Sequence, residues 1–152
     1  MQIRDGHQER QTRDLVEEPA EVVVAALEPQ LNRPLGVLRL RDDGTVPPDN
    51  PFVGRAGYRP EIYTMGHRIP LGLAINPVTG SIWECENGPN GGDEVNILQA
   101  GKNYGWPIVG NGRYYGGPRV SVDPYREGLE PPVVFWVPSI ATSGLVFYTG
   151  DK

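Results

Sequence analysis

The sequence predicts an all-β fold of short strands, arranged as part of a β-propeller. Three observations carry this. The first is composition. The 152 residues hold 20 glycines and 16 prolines, about twice the ordinary share of the pair, and these cost about 1 and 3 kcal/mol each in a helix interior. The second is spacing. From residue 33 onward short apolar runs alternate with turn signals, as in sandwiches, barrels and propellers. The third is an internal echo. Gly72-Leu-Ala-Ile-Asn76 and Gly144-Leu-Val-Phe-Tyr148 each follow a Pro-containing loop and precede a Thr-Gly turn. A strand motif that recurs after a long insertion marks propeller blades of about 40–50 residues, so the chain holds roughly three. Propellers need about 4–8 blades to close. The chain is therefore expected to be a fragment, or to close only by association.

The elements follow in order. Residues 1–32 form a divergent, charged N-terminal segment with no glycine after Gly6. Within it, Ala20 to Leu27 is either a helix or a strand. The three valines favour a strand, and the Ala and Leu flanks favour a helix. The propeller-like domain covers 33–152. Leu35–Leu40 is a strand running into an Asp43-Gly44 turn. Glu61–Met65 is a second. Gly72–Asn76 and Ser81–Cys85 flank Pro77-Val-Thr-Gly80, as in a hairpin. Val95–Leu98, Pro132–Val137 and Ser143–Tyr148 complete the set, with no helix after residue 32.

Charge and composition narrow the partners. A net charge of −5 argues against nucleic acid, whose phosphates select basic surfaces. No apolar run is long enough for a membrane span. The N-terminus has no apolar core of a signal peptide. Cys85 is the single cysteine, so no intramolecular disulfide forms. It reads as a buried small hydrophobe.

Four segments concentrate chemistry: Gly66-His-Arg-Ile-Pro-Leu-Gly-Leu73, Glu86-Asn-Gly-Pro-Asn-Gly-Gly-Asp-Glu94, Gly101-Lys-Asn-Tyr-Gly-Trp-Pro107 and Trp136-Val-Pro-Ser-Ile-Ala-Thr-Ser-Gly144. The second sets backbone carbonyls beside carboxylates. Hard cations such as Ca²⁺ take six to eight such oxygens. A long polar turn between strands explains the same residues, and spacing alone leaves both open. His67-Arg68 is either a surface pair or a functional pair on a loop, since Arg offers a forked donor to carbonyls and carboxylates. Trp83, Trp106 and Trp136 read as packing residues. Tyr114-Tyr115 is a loop that either lines a mouth or simply turns.

Taken together, these residues resemble a known family. Leu38-Arg-Leu-Arg-Asp-Asp-Gly-Thr-Val-Pro-Pro-Asp-Asn-Pro-Phe52, Gly66-His-Arg68, Gly72-Leu-Ala74, Gly91-Gly-Asp-Glu94, Asn103-Tyr-Gly-Trp-Pro107 and Trp136-Val-Pro-Ser-Ile-Ala141 occur in the order and spacing of the glucose/sorbosone dehydrogenase family. Its members are soluble sugar dehydrogenases dependent on pyrroloquinoline quinone (PQQ). The resemblance implies a six-bladed propeller with PQQ on its axis, a small sugar as substrate, an electron acceptor, and a periplasmic or secreted location. It implies one Ca²⁺ between PQQ and the carbonyls of Gly88 and Pro89, with Asp93 behind it. It implies a second, structural Ca²⁺ at the Glu94 carboxylate and the Tyr104 carbonyl. It sets Arg68 against the PQQ carbonyls, where a cation acts as Lewis acid and an arginine stabilises a developing oxyanion.

The chain also departs from the family. Ile69 and Leu71 stand where the family motif reads Asn and Gln. The family's catalytic histidine lies upstream of Gly-His-Arg, and this chain has only His7 and His67. His67 belongs to the motif and is expected to be structural; His7 lies in the unmatched segment. The clamps for the PQQ carboxylates belong to later blades, beyond Lys152. The expectation is a chain with the calcium wall of the site and without its base, inactive alone. The alternative is a non-catalytic propeller module that retains only structural calcium.

Overall fold

The computed structural model describes residues 21–25 and 35–150. Seven strands and no helix are found among them: β1 (Glu21–Ala25), β2 (Leu35–Arg41), β3 (Ile62–His67), β4 (Pro70–Ile75), β5 (Ile82–Glu86), β6 (Asp93–Leu98) and β7 (Val134–Trp136). They form two antiparallel sheets, β1-β2-β3 and β4-β5-β6-β7. Each is an up-and-down meander, the construction of a propeller blade.

The strand reading of the Val22–Val24 run is the one realised. β1 pairs with β2 from Glu21↔Arg41 to Ala25↔Val37, so a ladder joins the N-terminal segment to the first strand after residue 33. β2 meets β3 with irregularities at Leu35/Gly36 and Val37/Leu38. The loop between them is pinned by Asn50, whose Nδ2 donates to Arg39 O at 2.9 Å and Pro60 O at 3.0 Å. The hairpin over residues 72–85 forms as β4-β5, closed by Asn76 N donating to Ser81 O at 2.9 Å.

The expected strand Ser143–Tyr148 is a correction. Among the described residues this stretch joins no ladder. It lies across the face of the second sheet instead of along an edge. A Cβ on Gly72 would come within 2.8 Å of Gly144 Cα and Leu145 N, and Phe147 meets Trp83 edge-on at 5.5 Å. The run is apolar because it covers a face, and it covers that face without joining a ladder.

Side chains alternate along strands. The β5–β6 register (Ile82↔Leu98, Glu84↔Asn96, Glu86↔Glu94) therefore places Ile82, Glu84 and Glu86 on the same face as Leu98, Asn96 and Glu94. That face packs on the first sheet. Its lower part is apolar: Val37, Leu98 and Tyr104 form the core, with Tyr63, Leu73 and Ile82 against them. Its upper part is polar, with Glu84, Glu86, Asn96, Thr64 and His67 buried together. Only Arg68 and Ile69 separate β3 from β4, so Arg68 stands where the chain crosses between sheets.

Candidate functional site

A cleft opens above the polar layer. Arg68, Gly88, Pro89, Glu94 and Tyr104, all singled out in the sequence, line it together. Asp93 lies behind that wall. Glu86, Asn87 and Trp106 line the cleft as well.

Arg68 is held from three directions. Its Nη1 donates to Asn87 O at 2.8 Å. Its guanidinium lies 5.4 Å over the Trp106 ring, a cation–π contact. Its backbone N–H and that of Ile69 both donate to Glu86 Oε2. One buried carboxylate thus fixes the corner that aims the arginine. Trp106 corrects the packing reading for one of the three tryptophans. It carries Arg68 on its ring and leans on Tyr114 at 6.2 Å, whereas Trp83 packs on Phe147. A Trp-Pro in a Gly-rich loop offered the signal, because bulk in a loop has no strand face to fill.

The wall of carbonyls is built from glycine. A Cβ on Gly112 would meet Gly91 O at 2.1 Å and Pro89 O at 2.5 Å, and one on Gly88 would meet Gly91 O at 2.2 Å. Two loops therefore meet backbone to backbone, and only glycine allows that approach. Pro89 O accepts from Arg113 N at 2.8 Å. Asp93 ties this wall to the Trp136–Ala141 segment. Its Oδ1 accepts from Gly88 N at 3.1 Å, and its Oδ2 accepts from Ser139 Oγ at 2.7 Å, Ile140 N at 2.9 Å and Ala141 N. Burial pushes the Asp93 carboxyl up, but those four donors outweigh it and hold the group below its ordinary value.

The acidic side chains behave oppositely. Burial, then the charge of Glu86, pushes Glu94 up to about 9. The same two causes push Glu84 up to about 10. Burial raises the Tyr104 phenol to about 12; its hydroxyl donates to Ile97 O at 2.6 Å. A half-buried carboxyl among backbone carbonyls, in a field of other carboxylates, is a donor set suited to a hard cation.

His67 is fully buried, stacks on Tyr104 at 4.7 Å and lies 2.9 Å from Thr64 Oγ1 through Nε2. Cys85 is buried, and burial followed by the Glu84 charge raises its thiol. Ile69 and Leu71 are exposed apolar residues. His7 lies outside the described residues.

The blade meander and the glycine-walled cleft define a β-propeller segment. The profile of the Glucose / Sorbosone dehydrogenase family matches residues 25–152, and the chain belongs to that family. It is 46% identical over 118 residues to the aldose sugar dehydrogenase YliI of Escherichia coli (strain K12), spanning 76% of this chain and 32% of that protein. The crystal structure of the soluble aldose sugar dehydrogenase of Escherichia coli in its apo-form superposes with a TM-score of 0.73 at 45% identity, over 77% of this chain and 34% of that one. The PQQ-bound aldose sugar dehydrogenase of Streptomyces coelicolor gives a TM-score of 0.50 at 33% identity, over 66% and 25%. The chain is thus similar to sugar dehydrogenases while spanning only about a third of the length of such relatives. The fold is part of the propeller these proteins share. No helix among the described residues is long and apolar enough to cross a membrane.

Proposed function

We propose that the chain is part of a PQQ- and calcium-dependent sugar dehydrogenase that oxidises aldoses. The observation that supports this is the single cleft on which Arg68, Gly88, Pro89, Glu94 and Tyr104 converge. When bound, PQQ would supply the hydride acceptor and calcium a Lewis acid. The Gly88 and Pro89 carbonyls would face one ion, and the Glu94 carboxylate with the Tyr104 carbonyl the other. Arg68, seated on Trp106, would present positive charge to a quinone oxygen. Asp93 would hold the Gly88–Pro89 wall in place. The propeller unit would span 33–152, with 1–32 as a divergent lead that contributes β1 to its first sheet. The remaining blades would bring the carboxylate clamps and the base, and a separate acceptor would take the electrons. A periplasmic or secreted setting agrees with this reading.

Among the described residues no histidine is placed as a base. His67 is buried and engaged by Thr64 and Glu86, so the chain alone is expected to turn over no sugar. A non-catalytic module that keeps only structural calcium is the second reading, and the exposed Ile69 and Leu71 favour it. Titrating PQQ into the chain with and without Ca²⁺, followed by quinone absorbance, tests the first. Calcium-dependent binding that weakens in Arg68→Ala is expected. Binding indifferent to both calcium and Arg68 would reject it.

A further inference from the structure

Behind the cleft, three buried side chains of metal-ligand type converge. His67 Nδ1 lies 3.3 Å from Glu86 Oε1 and 3.8 Å from Glu84 Oε2, and all three side chains are buried. Their ligand atoms all fall within 4.8 Å of one another. A metal with bonds of about 2.0–2.2 Å holds its ligand atoms roughly 3–4 Å apart. The backs of the groups are already engaged. His67 Nε2 faces Thr64 Oγ1 at 2.9 Å, and Glu86 Oε2 accepts the Arg68 and Ile69 amides. If Nε2 carries the ring proton and donates it to Thr64, the Nδ1 lone pair points at two carboxylates. Such an outer partner is how metal-binding histidines are oriented.

A second observation comes from Asn96, which is fully buried and is not one of those three residues. Its amide sits on the cluster, with Nδ2 3.0 Å from Glu84 Oε2 and 3.4 Å from Glu86 Oε1. Its Oδ1 has no hydrogen-bond partner, and neither has Glu84 Oε1. A half-turn of the amide would exchange the two ends. With nothing positive in the middle, that turn would set an oxygen against two carboxylates. With a cation there, it would add a ligand and leave no orphaned oxygen on Asn96.

We infer that His67 Nδ1, Glu84 and Glu86 bind a divalent transition-metal ion, with Asn96 Oδ1 as a further ligand. The imidazole nitrogen sets this site apart from the all-oxygen positions at Gly88/Pro89 and Glu94/Tyr104, and it selects Zn²⁺, Mn²⁺ or Co²⁺ over Ca²⁺. Two carboxylates neutralise a divalent ion, so the buried layer carries no net charge once it is filled. Glu86 also lines the cleft, which gives the ion a way in.

The test is a Zn²⁺ titration of the EDTA-stripped chain in a His7→Gln background, which removes the other histidine. One ion per chain is expected. Glu84→Gln, which keeps the side-chain shape, should weaken binding by at least the roughly 10–100-fold that loss of an outer partner costs. Glu127→Gln, at an exposed carboxylate that belongs to neither the cleft nor the cluster, should leave Zn²⁺ affinity unchanged. A measurement without ligand variants accompanies these: Zn²⁺ should shift the Nδ1 nitrogen resonance of His67 in ¹⁵N-histidine-labelled chain. No binding, an unmoved His67 resonance, or Zn²⁺ affinity unchanged in Glu84→Gln would overturn the site. Those outcomes leave the PQQ and calcium reading intact, since its ligands are different residues.

Discussion

The Gly88 amide donates to Asp93 Oδ1 at 3.1 Å, while Ser139 Oγ donates to Asp93 Oδ2 at 2.7 Å. One carboxylate, five residues from the first and 46 from the second, clamps the glycine wall of the cleft to the Trp136–Ala141 segment. Asp93→Asn keeps the shape but turns an N–H₂ toward N–H and O–H donors. Each buried donor left without an acceptor costs about 1–3 kcal/mol. A urea-midpoint loss in that range or above is expected, together with weaker calcium binding at Gly88/Pro89 when PQQ is present. An unchanged midpoint would show that the clamp contributes nothing.

The raised and lowered carboxyls give opposite pH dependences. The Asp93 carboxyl lies below its ordinary 3.8 in the folded chain, so the unfolded chain binds its proton first. Its contribution is present above about 3.8 and is lost as pH falls through the lower folded value. Glu84 and Glu94 lie at about 10 and about 9 against an ordinary 4.5. Here the folded chain holds the extra protons. Their contribution is full below about 4.5 and declines as pH rises toward 9–10. In EDTA, melting temperature should therefore fall from pH 5 to pH 9. Bound cations replace those protons and should flatten the slope. A melting temperature that rises across this window in EDTA would contradict the assignment.

The glycine wall can be probed at one atom. In Gly112→Ala the new methyl would meet Gly91 O and Pro89 O at 2.1 and 2.5 Å, and both are backbone atoms that cannot rotate away. Overpacking of this kind costs about 1–3 kcal/mol. Gly116→Ala is the control for adding a methyl, since nothing lies within 4 Å there, although its positive φ of 67° adds strain of its own. Chemical denaturation should show the Gly112 variant losing stability and calcium affinity together, and the Gly116 variant keeping its calcium affinity.

Much of this was legible in the residues, for physical reasons. The strands were readable because β-branched and aromatic runs between Gly and Pro turns have few other ways to fold. Ser143–Tyr148 was not, because the same composition serves a segment laid across a sheet face. Arg68, Gly88, Pro89, Glu94 and Tyr104 stood out through motifs, and the fold places them on one cleft. Trp106 did not, since aromatic bulk ordinarily means core. Glu84 was passed over as a strand residue, and Glu86 entered only as the first residue of a Gly-rich segment, with no role of its own. Only the register Glu84↔Asn96 and Glu86↔Glu94 turns them toward the first sheet, and register is a long-range property that a local reading of β5 does not contain.

The last prediction concerns calcium. Glu94 and Tyr104 line the cleft with Gly88 and Pro89, and this set is mostly carbonyl oxygen on glycine-rich backbone. Ca²⁺ tolerates irregular shells of about six to eight oxygens, while Mg²⁺ demands a tight octahedron. Calcium should therefore bind in preference to magnesium. The two positions should also differ. The Glu94/Tyr104 position has a protein carboxylate, which gives up its proton to the ion, and it can fill without cofactor. The Gly88/Pro89 position has only neutral carbonyls, and Pro89 O already accepts from Arg113 N. Most of its ligand charge has to come from the cofactor. Calorimetry without PQQ should show at most one calcium site, lost or weakened in Glu94→Gln and tighter at pH 8 than at pH 6, because the Glu94 proton must leave. Two equally tight sites without PQQ, or calcium affinity indifferent to Glu94, would return the Gly91–Glu94 run to the role of a polar turn between β5 and β6.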